Sequence, residues 1–141
     1  MRATPLKQKL VKRIKRSQKD VFLRSDFADL GGYDQVGRAL KQLMGDGQLV
    51  RIGQGLYTRG RTSVVTGKPT IAVPGGFKAA SREALTRLGY KWSPGNFEQR
   101  YSDGETTQIS ANADVVVQGR LNRKIEFGNQ TLQYQTKSQL G

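Results

Sequence analysis

Apolar residues near the N-terminus recur at the spacing of one helical face. In the stretch TPLKQKLVKRIKR, Thr4 is a preferred N-cap and Pro5 a preferred first helical residue, so a helix is predicted to begin there. One apolar stripe is formed by Leu6, Leu10, Val11 and Ile14. Basic residues surround this stripe, which predicts a helix that packs by one side and carries a strongly positive opposite side.

The next segment, DVFLRSDFADLGGYDQVGRALKQLMGDG, predicts a short strand and two further helices. The residues from Val21 to Arg24 are extended in character, and Ser25 is a typical N-cap for a brief helix that the Gly-Gly pair ends. Asp34 is expected to cap a third helix that continues to Met44. The apolar face of this third helix consists of Val36, Ala39, Leu40, Leu43 and Met44.

A hairpin is predicted for LVRIGQGLYTR, residues 49–59, because two β-prone runs surround a glycine-rich turn. Arg51 and Arg59 have no acidic residue within this stretch, so we expect a polyanion to pair with them. The order helix, short strand, helix, helix, hairpin is that of a winged helix-turn-helix domain. In such a domain the third helix enters the major groove, and the hairpin, called the wing, lies along the adjacent backbone or minor groove.

The second half predicts a small α+β unit. Residues 63–69 are predicted to be a linker, TIAV a strand, and FKAASREALTRLG a helix that ends at Gly89; WSPGN and SDGE are predicted loops. Further strands are expected near 106–109, 114–118, 124–127 and 131–135. Because its core is thin, we expect this unit to pack on the first domain or on a second copy of the chain.

The predicted fold class is therefore α+β. An N-terminal winged helix-turn-helix domain spans residues 1–62, and a small domain of one helix and several short strands spans residues 70–141.

The charge of the chain narrows the range of functions. Its 141 residues carry 24 Lys and Arg against 11 Asp and Glu, a formal net charge of +13. Such a surface repels itself, so we expect a neutralising partner, with nucleic acid as the first candidate and an anionic membrane as the second. Nucleic acid is favoured because the first helix has a broad polar face and no Trp or Phe in its apolar stripe.

The absence of cysteine and histidine excludes several kinds of chemistry. Disulfides, Cys- or His-based zinc sites, Cys nucleophiles and His general bases are all ruled out. The few acids are scattered, so we predict a binding protein that is not an enzyme and requires no metal or cofactor. No apolar run approaches the roughly 20 residues of a membrane span. The N-terminus lacks a secretory apolar core, and we therefore expect a cytoplasmic, nucleoid-associated protein without a membrane partner.

Three sets of DNA contacts are predicted on the outward sides of these elements, together with one auxiliary set. The third helix would present to the major groove Tyr33, Gln35, Arg38, Lys41 and Gln42. The wing would place on the backbone or minor groove Arg51, Gln54, Arg59 and Arg61. The first helix would contact phosphates through Lys7, Lys9, Lys12, Arg13, Lys15 and Arg16. Auxiliary phosphate contacts, about as reasonable as solvated turn residues, are Arg120, Arg123 and Lys124.

The run VFLRSDFADLGGYDQVGRALKQLMGDGQLVRIGQGLYTR resembles the N-terminal winged helix of AbiEi-type regulators, the antitoxin side of bacterial type IV toxin–antitoxin systems. The matching positions are Phe22, Phe27, Arg38, Lys41, Gly47, Leu49, Arg51, Ile52, Gly55, Leu56 and Tyr57. ALTRLGYKWSP and SDGETTQISA resemble segments of short stand-alone members, the second through Gly104 to Ile109. The resemblance spans roughly residues 18–135. It implies a DNA-binding repressor, often of its own operon, whose partner gene encodes a nucleotidyltransferase-like toxin.

These observations together predict a double-stranded DNA-binding transcriptional regulator that acts as a repressor. Two copies on an inverted repeat would match the usual symmetry of such operators, and a monomer is the alternative. Two alternatives stay open: a sequence-neutral architectural or RNA-binding protein, and an antitoxin whose main role is to bind a toxin protein. Aromatic platforms for single strands are not evident in the sequence, because the Phe and most Tyr residues occupy core-like positions.

Overall fold

A computed structural model describes residues 5–95 and 114–137 of the chain. The fold class is α+β, as predicted, and the described part contains α1 (Pro5–Arg16), α2 (Tyr33–Gly45), α3 (Gly76–Arg87) and a 3₁₀ helix (Arg24–Phe27). Its strands are β1 (Val21–Leu23), β2 (Leu49–Gly53), β3 (Leu56–Thr62), β4 (Pro69–Ile71), β5 (Trp92–Pro94), β6 (Val115–Gln118), β7 (Glu126–Phe127), β8 (Gln130–Thr131) and β9 (Tyr134–Lys137). None of the helices in these two ranges has the length and apolar character that crossing a membrane requires.

The predicted hairpin is present and forms the centre of an antiparallel sheet. β3 pairs with β2 on one side and with β1 on the other, in the order β1-β3-β2. The turn consists of Gln54 and Gly55, and Gly55 has a φ of 65°, a left-handed conformation that favours glycine. The predicted extended segment at residue 21 is β1, which adds the third strand of the sheet.

Both faces of this sheet are buried, although a wing would be expected to have one solvated face. Along β2, Leu49 packs toward α1 and α2, whereas Val50 and Ile52 pack on the opposite side. Phe22 and Tyr57 lie on the same side of the sheet as Leu49, in the cluster formed with α1 and α2, as the two-residue repeat of a strand requires. The sheet is therefore a middle layer between the N-terminal helices and the second half of the chain.

α1 and α2 pack by the predicted apolar faces. Leu10, Leu40 and Leu43 are fully buried, together with Phe27 of the 3₁₀ helix. The predicted caps are wrong: Leu23 precedes the 3₁₀ helix in place of Ser25, and Gly32 precedes α2 in place of Asp34. Asp34 lies in the first turn of α2, where its charge still favours the positive end of the helix dipole. Thr4 lies outside the described residues.

The second half packs on the sheet, which confirms one of the two predicted arrangements. α3 contributes Ala84 and Leu85 to a cluster shared with Val21 of β1. β5, β6 and β9 form a second sheet in which β6 and β9 are parallel. WSPGN was wrongly predicted as a loop, since β5 pairs with β6. The strand predicted at 131–135 is divided between β8 and β9, and the one predicted at 106–109 lies outside the described residues.

The predicted linker forms part of a second hairpin. β4 pairs with the end of β3, and the turn between them is closed where Ser63 N donates to Lys68 O. The Ser63 hydroxyl oxygen accepts hydrogen bonds from the amides of Val65 and Thr66. The chain therefore passes from one half to the other without leaving the sheet. The division into two domains stays a prediction.

Replacement of Leu85 by alanine tests whether the two halves unfold together. Leu85 is fully buried in the cluster shared with β1, so its truncation is expected to destabilise the protein by about 2–5 kcal/mol. Denaturant unfolding should be followed by far-ultraviolet circular dichroism and by the fluorescence of Trp92. The midpoints of both transitions should shift to lower denaturant concentration by the same amount. Two separate transitions, with only the Trp92 signal shifted, would instead show that the halves are independent domains.

Candidate nucleic-acid interface

The outward side of α2 presents the polar residues predicted for it. Because Val36, Ala39, Leu40 and Leu43 are buried, the 3.6-residue repeat turns the opposite side to solvent. The exposed side chains are Tyr33, Gln35, Arg38, Lys41 and Gln42. Gln35 and Gln42 lie on the flank toward α1, whereas Tyr33 lies on the flank toward the hairpin.

A groove connects this face of α2 with α1. A depression of about 430 Å³ is lined by Lys9, Gln35, Arg38 and Gln42, together with the apolar residues Leu6, Leu30 and Ala39. A second depression of about 400 Å³ continues from Lys9 and Leu30 along α1 to Lys12 and Arg16. We call this continuous surface the basic groove, defined by Lys9, Lys12, Arg16, Gln35, Arg38 and Gln42.

The cations of α1 are divided between two tasks. Lys9, Lys12 and Arg16 are exposed and share one side of the helix through their i, i+3, i+7 spacing. No carboxylate in residues 5–95 or 114–137 forms an ion pair with these three or with Arg38. Lys15 is also exposed, but it lines neither of the two depressions that form the basic groove.

Arg13 and Lys7 contact carboxylates instead. Arg13 donates two hydrogen bonds to the Asp29 carboxylate, at 2.6 and 3.0 Å, and a third to the Asp26 carbonyl oxygen at 2.8 Å. These bonds attach α1 to the turn that precedes α2. Lys7 Nζ lies 2.7 Å from a carboxylate oxygen of Asp46 at the other end of α2. Both cations therefore position the two helices relative to each other.

Arg59 has an acidic partner, so the sequence-based expectation that it lacks one is wrong. Its Nε donates to Asp20 at 3.1 Å, and its Nη2 donates to three carbonyl oxygens between residues 14 and 19. The last carbonyls of a helix have no partner within the helix, and Arg59 contacts one of them, Ile14 O, together with the carbonyls of Ser17 and Lys19 just beyond the helix end. Its guanidinium therefore closes the C-terminal end of α1 and faces inward, away from the outward side of α2.

The other predicted wing residues lie at opposite ends of the hairpin. Arg51 is exposed near the tip, where its Nε donates to Gly53 O at 3.1 Å, and Gln54 is exposed in the turn itself. Arg61 is exposed near the far end of β3, five residues beyond Leu56, which places it about 17 Å along the strand from the tip.

The C-terminal segment reaches the tip of the hairpin and adds the auxiliary cations there. Arg123 donates to Gln54 O at 2.9 Å, and a methyl group on Gly53 would lie 3.0 Å from the Lys124 carbonyl oxygen. Lys124 also lies 3.7 Å from Glu126, and Arg120 is exposed. Two of the three auxiliary residues are thus brought beside Arg51, which no local sequence pattern indicates.

This segment, the hairpin tip and the start of α2 enclose a cleft of about 1040 Å³. We call it the tyrosine cleft, defined by Arg24, Tyr33, Arg51, Tyr90, Arg123 and Lys124. Arg24 and Tyr90 were not predicted as site residues. The sequence offers one indirect indication of Arg24, which is the glycine at position 37 inside a predicted helix. Glycine is needed there because a methyl group would lie 2.6 Å from Arg24 Nη2.

Comparison with other proteins does not assign the chain to a known group. No family model matches it, and neither a curated protein nor a solved structure does. Within the described ranges, no three His, Cys, Asp or Glu side chains come together in a way that would hold a metal ion. Fold and site define an α+β protein in which a helix with a polar outward side lies between two basic surfaces.

Replacement of Arg13 by glutamine tests its role in positioning α1. The hydrogen bonds and positive charge of Arg13 lower the pKa of Asp29, and the hydrogen bonds to Asp29 and its negative charge raise the pKa of Arg13. A lowered carboxyl pKa stabilises the fold above the unfolded-state pKa, and this stabilisation is lost as the pH falls through the folded-state value. In Arg13→Gln the pKa of Asp29 should rise toward its ordinary value, as carbon-13 NMR of the carboxyl group would show. An unchanged pKa would contradict the pairing.

Proposed function

We propose that the protein is a transcriptional regulator that binds double-stranded DNA through a winged helix-turn-helix. Its element order, α1, β1, the 3₁₀ helix, α2 and the β2–β3 hairpin, is the order such domains use. In this proposal the 3₁₀ helix takes the place of the second helix, α2 is the recognition helix and the hairpin is the wing.

The observation that carries the proposal is the basic groove. It joins the outward side of α2 to three cations of α1 that have no carboxylate partner among the described residues. A recognition helix needs phosphate contacts beside it to fix its register on the duplex, and Lys9, Lys12 and Arg16 are in position to supply them.

The side chains on α2 suit the reading of base edges. Arg38 is able to donate a bidentate pair of hydrogen bonds to guanine, and Gln35 and Gln42 are able to do the same kind of pairing with adenine. All three are exposed and lie in the same groove. On the hairpin flank, Arg51, Gln54 and Arg123 would contact the adjacent backbone. Arg59 is left out of this interface, because its guanidinium is occupied at the end of α1.

We base the proposed biological role on the resemblance to AbiEi-type regulators. A repressor of its own or a neighbouring operon, at the nucleoid, would bind as a homodimer on an inverted repeat. A cognate toxin protein would then contact another surface of the same chain. Co-purification of the neighbouring gene product would test that partner separately from DNA binding.

A sequence-neutral nucleic-acid-binding protein would use the same positive surface. It would bind all duplexes alike, because phosphate contacts carry no sequence information. Binding to the DNA upstream of the protein's own gene, with shuffled DNA as competitor, separates the two functions.

Replacement of Arg38 by alanine tests the reading of bases. Loss of a bidentate contact should weaken binding to the upstream DNA by about 1–3 kcal/mol and leave binding to shuffled DNA nearly unchanged. Fluorescence anisotropy with both duplexes measures the two affinities, and Lys78→Ala, at an exposed residue of α3 outside the basic groove, is the control. Equal losses on both duplexes would contradict the assignment of α2 as the recognition helix.

Removal of the three groove cations of α1 tests the phosphate contacts. In the triple variant Lys9→Gln, Lys12→Gln, Arg16→Gln, the slope of log K against log salt should become shallower by about 2–3 units, since each phosphate contact contributes about 0.9. A control that removes the same charge elsewhere is the triple variant Lys68→Gln, Lys78→Gln, Lys91→Gln, all of them exposed outside the basic groove. If both variants change the slope equally, only net charge matters and the groove has no special role.

A further inference from the structure

The tyrosine cleft has a chemistry that duplex recognition by α2 does not require. Arg51, Arg123 and Lys124 line it on the side of the hairpin tip, and the carboxylate in its lining is that of Glu126, which lies 3.7 Å from Lys124. Tyr33 and Tyr90 also line it. Cations beside aromatic rings, in a cleft of this size, match a ligand that carries both a phosphate and a ring.

Tyr33 is held as a platform at the mouth of this cleft. Its side chain is 74% exposed, which is unusual for a large aromatic residue. The guanidinium carbon of Arg24 lies 3.6 Å from the centre of its ring, so one face of the ring is covered and the other is turned to solvent. Arg24 also donates a hydrogen bond to the Tyr33 carbonyl oxygen. A ring that is already fixed loses little conformational entropy when a second ring stacks on it.

The contact between Arg24 and Tyr33 is accompanied by two features that lower the stability of the fold. Gly37 disfavours the helix in which it lies, yet any side chain there would displace the guanidinium of Arg24. The Nε of Arg24 is buried and has no hydrogen-bond partner within the described part of the chain. Buried polar atoms are rarely left unpaired, so stability alone does not account for the position of Arg24.

We propose that the tyrosine cleft binds an unpaired nucleotide. The base stacks on the free face of Tyr33, and the phosphate accepts hydrogen bonds from Arg51, Arg123 and Lys124. A free mononucleotide and a nucleotide within a single strand carry these same groups. The inference goes beyond the proposed duplex recognition, because the base is bound by Tyr33 on the opposite flank of α2 and no residue of the basic groove takes part. Arg51 and Arg123, which would contact the duplex backbone, are shared by the two proposals.

The test measures binding of the full-length protein to a fluorescein-labelled single-stranded dA12 by anisotropy, at one fixed salt concentration. Tyr33→Ala should weaken binding by about tenfold, whereas Tyr33→Phe, which keeps the ring, should remain within about twofold of the original protein. Gly37→Ala keeps every charge but moves Arg24 away from Tyr33, and should weaken binding severalfold. Tyr134→Ala, at an exposed tyrosine outside the cleft, is the control and should change nothing.

Competition with AMP identifies the source of the nucleotide. If millimolar AMP displaces the labelled strand and ribose 5-phosphate does not, the site binds free nucleotides as well as nucleotides within a strand. A lack of displacement, combined with the loss in Tyr33→Ala, assigns it to nucleotides within a strand. Equal affinities of Tyr33→Ala and Tyr134→Ala, with circular dichroism showing both folded, overturn the inference. The Arg38→Ala measurement on duplex DNA is independent, so failure of one proposal leaves the other standing.

Discussion

Burial of both faces of the β1-β3-β2 sheet is the constraint on which the rest of the structure depends. One face carries Leu49 and Tyr57 against α1 and α2, and the other carries Val50 and Ile52 against α3 and the second sheet. Because α2 packs on a sheet that is itself supported from behind, its outward side is held in a fixed direction. The same support brings the C-terminal segment to the hairpin tip and so creates the tyrosine cleft.

Internal use of the acidic residues explains where the excess charge is exposed. Asp20, Asp26, Asp29 and Asp46 each pair with a cation that is distant in the sequence. The Asp26 carboxylate also accepts a hydrogen bond from the amide of Leu23. Because it pairs with Arg87 as well, it attaches α3 to the 3₁₀ helix. These four carboxylates pair with cations outside the basic groove, and no carboxylate of the described residues pairs with Lys9, Lys12, Arg16 or Arg38.

The elements of the first half were largely predictable, because their signals are local. Helical spacing of apolar residues indicated α1 and α2, and the Gly-Gln-Gly turn indicated the β2–β3 hairpin. The second half was less predictable, since its strands are short and pair across long stretches of chain. β5, for example, is a strand only because Val115–Gln118 lies beside it, and a Trp-Ser-Pro sequence by itself is typical of a loop.

Local sequence patterns were enough to predict the faces of the helices, the position of the hairpin and the sign of the surface charge. These depend on periodicity, turn residues and composition, which are properties of neighbouring residues. Which cations pair with a carboxylate, and which stay available to a partner, depends on the three-dimensional fold. Arg59 and Arg13 look like Lys9 and Arg16 in the sequence, but they meet carboxylates 39 and 16 residues away. Ion pairing depends on distance in space, and the fold sets that distance.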